Sequence, residues 1–129
     1  RGLTCPPVII GVGVGGNKDQ AFSIAKQASQ LRPIGDRHPD PEVAQLEDEL
    51  LEMANSLGLG AMGYPGSAGY ATDVHLEIAY THSALTPLGV HQLCQAARRG
   101  VVRVYMDGRM ETKPTPSWFS AYSRRSGIE

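Results

Sequence analysis

A short apolar run followed by two glycines constrains the fold of this chain more than any other feature. The run covers residues 8–14, is rich in β-branched side chains and has the length of a strand, which predicts a buried strand. Gly15 and Gly16 end the run, and Asn17 is a candidate helix N-cap. Apolar residues then recur at helical spacing, so the pattern predicts a helix over residues 18–31.

A second helix is predicted after a proline-rich loop. Asp40 is a candidate N-cap and Pro41 suits the first helical position, while Gly58 provides the stop. The predicted apolar stripe of this helix, residues 41–57, consists of Val43, Leu46, Leu50, Met53, Ala54 and Leu57.

The second half of the chain is predicted to form strands. Residues 73–80 alternate polar and apolar side chains, which indicates a half-buried strand. Its apolar side is Val74, Leu76, Ile78 and Tyr80, and its polar side is Asp73, His75 and Glu77. Residues 88–94 and 101–106 are also predicted to be extended, the latter turning into a hairpin at Asp107-Gly108. We therefore expect a mixed α/β domain in which two helices pack on a sheet built from strands near 8–14, 73–82 and 88–93.

Composition bounds the possible functions. With 129 residues, the chain has room for one domain, which we place at residues 1–113, followed by a tail of residues 114–129. A net charge of −1 without a basic stripe argues against nucleic-acid binding. No apolar run approaches the roughly 20 residues of a membrane span. Two cysteines without an export signal predict a cytoplasmic protein.

The glycine-rich turn permits three interpretations. Residues 11–16 satisfy the G-x-G-x-x-G pattern of dinucleotide-binding folds, but a proline-rich loop and a helix follow where a second strand is expected, so a βαβ unit is predicted to be absent. The glycines can also serve only to make a tight turn. In the interpretation we favour, the backbone amides of Gly15 and Gly16 approach an anion or a cofactor at the start of the helix.

Four motifs occur in an order that resembles a known family. They are Cys5-Pro6-Pro7 with Gly15-Gly16, the glycine-rich segment 57–63, Thr81-His82, and Cys94 followed by Gln-Ala-Ala-Arg98-Arg99. Together they resemble the C-terminal part of the α region of the class I (iron–sulfur) fumarases and the related L-tartrate dehydratases. The resemblance covers roughly residues 4–105.

The resemblance implies an enzyme part and a cofactor. It implies that Cys5 and Cys94 ligate a [4Fe–4S] cluster beside Gly15 and Gly16, and that His82 is a catalytic, substrate-binding residue. Arg98 is a further candidate ligand for a substrate carboxylate. Three cysteines on four irons leave one iron open as a Lewis acid, which suits the removal of water from a 2-hydroxy dicarboxylate such as malate or tartrate.

The chain departs from the family pattern in ways that imply further parts. The family uses three cysteine ligands and this chain has two, so a missing N-terminal α segment is expected to supply the third. A companion β region or subunit is expected to supply the catalytic base, in an oligomeric assembly. Asn17 stands where the family usually has threonine. The start at Arg1, four residues before Cys5, suggests a processed, cut or split chain.

The alternative is a binding or assembly module that keeps the fold without the cluster. The enzyme interpretation predicts that Cys5, His82 and Cys94 gather at one edge of the sheet. His38, His75 and His91 match nothing in the family pattern, and we predict that they are structural or solvated.

Overall fold

The computed structural model describes residues 5–60, 64–65, 69–95 and 102–112. The chain divides into two units, Arg1–Ala97 and Arg98–Glu129, which are considered separately. The predicted tail and its boundary at residue 113 lie outside the described residues and stay predictions. Among the helices in the described part of the chain, none combines the length and the apolar character that a membrane span requires.

The first unit is built on a three-stranded sheet whose central strand is the apolar run. Strand β1 (Val8–Val14) lies between β2 (Ala71–Ile78) and β3 (Leu88–Leu93). β2 runs parallel to β1 and β3 runs antiparallel to it, so that Val12 is flanked by Leu76 on one side and by Val90 on the other. This mixed sheet with two helices confirms the predicted α/β fold.

Helix α1 (Lys18–Leu31) follows the glycine turn as predicted. The side-chain oxygen of Asn17 caps it by accepting a 2.8 Å hydrogen bond from the amide of Gln20. Its buried alanines pack directly on the sheet, because the strand opposite them carries glycines. A Cβ atom on Gly11 would lie 2.0 Å from the carbonyl oxygen of Ala25. The glycines inside β1 therefore serve the close packing of a helix on a strand.

Helix α2 (Pro41–Ser56) packs on the opposite face of the sheet, where its Val43 joins a core with Val12, Val74 and Leu76. The Asp40 cap and Pro41 start are confirmed. The predicted apolar stripe is partly wrong, because three of its members are exposed: Leu46, Met53 and Leu57. The helix turns a different face to the sheet than the predicted stripe, and this face buries an acidic residue, Glu47.

Helices α1 and α2 also connect β1 to β2. Because these two strands are parallel neighbours, the connection is a crossover of the β–helix–β type. The expectation that such a unit is absent is therefore wrong. Sequence reasoning missed it because the connection contains two helices, one on each face, before the second strand begins.

Strand β2 is present as predicted, but the side chains that it buries differ from those predicted. Asp73 and His75, assigned to its polar side, are 1% and 0% exposed, whereas Ile78 and Tyr80, assigned to the core, are exposed. The strand is thus covered on both faces along its middle and emerges into solvent near its end.

The second unit is described over residues 102–112. Strands β4 (Val102–Val104) and β5 (Met110–Thr112) pair antiparallel, which confirms the predicted hairpin. The turn is closed by the amide of Gly108, which donates a 3.0 Å hydrogen bond to the carbonyl oxygen of Tyr105.

Candidate functional site

The two cysteines lie together where β1 begins and β3 ends. The amide of Gln95 donates a 3.1 Å hydrogen bond to the carbonyl oxygen of Cys5, so the two chain segments are joined beyond the last strand pair. The sulfur of Cys94 lies 3.9 Å from the same oxygen. Antiparallel pairing explains the contact, since β3 returns from the far end of β1 and Cys94 follows its last residue.

The thiols are accessible and interact with each other. Cys5 is exposed and Cys94 is partly buried. A side-chain hydrogen bond that the Cys5 thiol makes to Cys94, followed by the electrostatic interaction with Cys94, raises the pKa of the Cys5 thiol. Two thiols this close disfavour having both deprotonated at once, unless a cation or another electrophile stabilises the pair.

Gly15, Gly16 and His82 form a second group at the opposite end of β1. The amide of Gly15 donates to the carbonyl oxygen of Pro87 at 2.9 Å, and the amide of Gly16 donates to that of Tyr80 at 3.0 Å. Both amide donors are therefore engaged within the chain, and the structure does not support their predicted use toward an anion or cofactor. A Cβ on Gly15 would lie 2.1 Å from the carbonyl oxygen of Ala79.

His82 lies exposed in the turn that follows β2. Its Nδ1 accepts a 3.1 Å hydrogen bond from the amide of Ala84, and its carbonyl oxygen accepts a 2.9 Å bond from the amide of Leu85. An imidazole that accepts at Nδ1 is, when neutral, protonated at Nε2. The turn thus orients the ring as a hydrogen-bond donor through Nε2.

The expectation that Cys5, His82 and Cys94 gather at one edge is wrong for this unit. Residues Val8–Val14 rise about 3.3 Å each, which puts about 20 Å between the thiols and the turn of His82. The direction of the flanking strands is the reason. Parallel β2 delivers His82 to the end of β1, whereas antiparallel β3 delivers Cys94 to its start.

Two further points concern candidate ligands. Arg98, predicted to bind a substrate carboxylate, lies outside the described residues. Within the described ranges, the structure contains no cluster of three or more histidine, cysteine or acidic side chains arranged to hold a metal ion. The described part of the chain therefore offers two thiols to a metal centre.

Sequence reasoning missed a buried polar network beside β2. Arg32 donates to Glu47 at 2.6 Å and to the carbonyl oxygen of Leu76 at 3.2 Å, while Glu47 accepts from the amide of Leu76 at 2.7 Å. Asp73 accepts from Arg37 at 2.8 Å. The signal that could have revealed this network was the acidic residue at position 47, one helical turn after Val43 on the buried face of α2.

His75 belongs to the same buried region. Its Nε2 lies 3.5 Å from a carboxylate oxygen of Asp73, and neither ring nitrogen has a hydrogen-bond partner in the part of the chain that the structure describes. Burial, and then the positive charge of Arg32, lower the pKa of His75 below its usual value of 6.5. His91 donates or accepts through Nδ1 with the hydroxyl of Ser29 at 2.8 Å. His75 is therefore not solvated, and a structural role for the two histidines stays a prediction.

Comparison with known proteins decides the family. The family model described as fumarate hydratase (Fumerase) matches residues 1–103, most of the chain. This chain belongs to the fumarate hydratase (Fumerase) family. The match covers both groups of predicted site residues, and it confirms the resemblance carried by the four motifs.

Two relatives of this fumarate hydratase family member are named for the same enzyme. "Putative L(+)-tartrate dehydratase subunit alpha" of Methanocaldococcus jannaschii is 49% identical over 109 residues, which cover 84% of this chain and 38% of that protein. L(+)-tartrate dehydratase subunit alpha of Escherichia coli strain UTI89 is 42% identical over 103 residues, covering 80% of this chain and 33% of that protein. The chain thus spans about a third of the length of the curated relatives it matches.

Proposed function

We propose that this chain is part of an iron–sulfur hydro-lyase that reversibly removes water from a 2-hydroxy dicarboxylate. The observation that carries the proposal is the meeting of Cys5 and Cys94, which are 89 positions apart in the sequence, at one exposed point of the sheet. Membership of the fumarate hydratase family and relatives named for tartrate dehydratase support this class of reaction.

The donor set fits part of the implied cofactor. Thiolates are the usual ligands of iron–sulfur clusters, and Cys5 and Cys94 are close enough to bind one centre. When bound, a [4Fe–4S] cluster with an open iron supplies a Lewis acid that polarises the substrate hydroxyl. Since this chain has two cysteines, the third ligand of the family pattern has to come from another segment or polypeptide.

The chain's own residues have two separate tasks in this proposal. Cys5 and Cys94 hold the cofactor from their end of the sheet, and Gly11 and Gly13 allow α1 to fix β1, on which Cys5 depends. His82 lies about 20 Å away, so it does not contact a cluster bound by the same two thiols. Its proposed role, donating a hydrogen bond through Nε2 to a substrate carboxylate or hydroxyl, therefore applies to substrate at a cluster held by another copy of this chain in the oligomer.

A companion polypeptide is part of the proposal. The relatives are named as subunits alpha, a name that implies another subunit. We propose a β region or subunit that provides the base, within an oligomer. Malate/fumarate and tartrate/oxaloacetate are the substrate pairs to test.

The test uses the native assembly purified without oxygen. We expect about four irons per cluster and matching sulfide, with conversion of L-tartrate or malate. Cys5→Ser and Cys94→Ser should each remove most of the iron, whereas Gln45→Ala, an exposed change on α2, should leave the iron content unchanged. An assembly that binds no iron after anaerobic reconstitution, or that keeps its iron in both cysteine variants, contradicts the proposal.

His82 is tested in the same preparation. His82→Gln should keep the iron and lower kcat for the dicarboxylate by about 10²-fold or more if His82 acts on the substrate. Ser83→Ala, in the same exposed turn, is the matched control and should change kcat less than about twofold. Equal, small effects of both changes would leave His82 only a structural role.

A further inference from the structure

Neighbouring antiparallel strands bring the two cysteines to a separation that suits a covalent bond. Ile9 and Leu93 are paired, and the amide of Gln95 continues the contact by bonding to the carbonyl oxygen of Cys5. Facing residues of antiparallel strands have Cα atoms about 4.5–5.5 Å apart, and disulfides span Cα separations of about 4.4–6.8 Å. Cys5 bonds to Gln95, so Cys94 is the diagonal neighbour of Cys5 and not the residue that faces it. The approach of the two thiols rests on their side chains, which a hydrogen bond joins.

The position of the Cys94 sulfur places it beside Cys5. The Cys94 sulfur lies 3.9 Å from the Cys5 carbonyl oxygen, which is two bonds from the Cα of Cys5. The sulfur is therefore within about 6 Å of that Cα. Cys5 is exposed, so a reagent in solution reaches it, and Cys94 stands next to it, half covered.

We propose that Cys5 and Cys94 form a redox modification site: in the chain without bound metal, they close an intramolecular disulfide by exchange with a small disulfide such as oxidised glutathione. The exposed Cys5 sulfur attacks one sulfur of oxidised glutathione, forming a mixed disulfide and releasing one glutathione thiolate. The Cys94 sulfur then attacks the Cys5 sulfur and releases the second glutathione. Two protein thiols are oxidised, one glutathione disulfide is reduced to two thiols, and the protons remain on those thiols or in solvent.

The disulfide would control whether the two sulfurs are available to bind a metal centre. A disulfide between these residues ties the start of β1 to the end of β3 and withdraws both thiolates from any metal centre. The proposal stands on the position of the thiols and does not require the cluster. A chain that never binds iron can still close the disulfide, so the two proposals fail separately.

The experiment is a redox titration of the full chain. Reduced, metal-free protein is equilibrated anaerobically with mixtures of reduced and oxidised glutathione, quenched with acid, and examined by intact mass and by peptide mapping without reductant. We expect one product that has lost two hydrogens, carries no glutathione and links the peptide of Cys5 to that of Cys94. At a fixed concentration of oxidised glutathione, the ratio of the disulfide form to the reduced form should fall with the square of the reduced glutathione concentration, because two molecules are released.

Three controls separate the fold from mere tethering. Cys5→Ser and Cys94→Ser should each stop at a lasting glutathione adduct on the remaining thiol. In urea, where the sheet no longer holds the thiols together, the disulfide should need a glutathione ratio at least about tenfold more oxidising. The closed chain should also unfold at a Tm at least about 5 °C above that of the reduced chain.

Other outcomes overturn the proposal. A folded wild-type chain that keeps glutathione on either sulfur, or that does not react, lacks the required approach of the two thiols. Disulfides that form only between chains, and vanish on dilution, would also contradict it. Equal disulfide yields with and without urea would show that the sheet contributes nothing to the pairing.

Discussion

The two strands that flank β1 are covered in different ways. Strand β2 is buried along its middle on both faces, and side chains bond to the backbone of its outer edge: Glu47 and Arg32 at Leu76, and Asn55 at Ala71. Strand β3 rests on α1 with one face, but on its other face Leu88 is 66% and Val90 47% exposed. Both are outer strands among those that the structure describes in this sheet.

The difference shows that, at the outer edge of β2, polar side chains provide the hydrogen bonds that a neighbouring strand would otherwise provide. An unpaired strand edge inside a protein leaves donors and acceptors without partners, and unmatched buried groups are costly. The carboxylate of Glu47 and the amide of Asn55 satisfy those groups on β2. Strand β3, which leads into Cys94, has no such cover in the described residues, so the thiols belong to the less protected side of the sheet.

The largest expected effect comes from breaking the network beside β2. Glu47→Ala leaves the guanidinium of Arg32 buried without its main partner, and it removes the acceptor of the Leu76 amide. We expect a loss of about 3–5 kcal/mol in the free energy of unfolding, measured by urea denaturation. Glu47→Gln, which keeps the shape and an acceptor, should lose less.

The matched change on β3 is Val90→Ala, which shortens a half-exposed side chain. It should cost less than about 1 kcal/mol, because little of the removed surface is buried. If Val90→Ala costs as much as Glu47→Ala, the two strands do not differ in the way described.

A smaller effect is expected from the second support of the β2 edge. The side-chain amide of Asn55 accepts from the amide of Ala71 at 2.8 Å and donates to its carbonyl oxygen at 3.1 Å. Asn55→Ala should lower the free energy of unfolding by about 1–3 kcal/mol, since both groups lose their partner. Gln45→Ala, which removes an exposed hydrogen bond to Glu49, serves as the control and should cost under about 0.5 kcal/mol.

The smallest effect near neutral pH concerns His75. Burial and the charge of Arg32 lower its pKa in the folded chain below 6.5, although Asp73, Glu47 and Asp36 oppose the shift. The unfolded chain therefore takes up a proton first, and stability is lost as the pH falls below about 6.5 toward the folded-state pKa. Above that pH, protonation of His75 changes nothing.

The measurement compares Tm between pH 7.5 and 5 in wild type and in His75→Gln. The difference in Tm between the two proteins should shrink as the pH falls, because the variant lacks the titrating group. Burial and then the charge of Lys26 also lower the pKa of His91, so His91→Gln in parallel isolates the contribution of His75. A constant difference across the range would contradict a neutral, buried His75.

Local sequence features predicted the elements well. Asn17 and Asp40-Pro41 mark the two helix starts that the structure shows, since capping depends on neighbouring residues alone. The strands over 8–14 and 88–93 follow from β-branched residues, and alternation predicted a strand over 73–80 where the structure has one over 71–78. The family was also recognisable, because its motifs are read from residue order and spacing.

Burial was harder to predict. Alternation predicted the strand β2 but not which of its side chains are buried. Asp73 is buried because its hydrogen-bond partners, Arg37 and the amide of Gly35, come from a distant segment. In the same way, Leu46 on α2 was expected to be buried but is exposed, while its neighbour Glu47 is buried. Such partners are invisible to a pattern that considers one element at a time.

The sequence by itself determined where helices and strands begin, which family the chain belongs to, and which residues carry thiol and imidazole chemistry. Only the tertiary structure decided which of those residues meet. The antiparallel direction of β3 brings Cys94 to Cys5, and the parallel direction of β2 carries His82 to the far end of β1. Strand direction depends on how the connecting segments pack on the sheet as a whole, so no local pattern contains it.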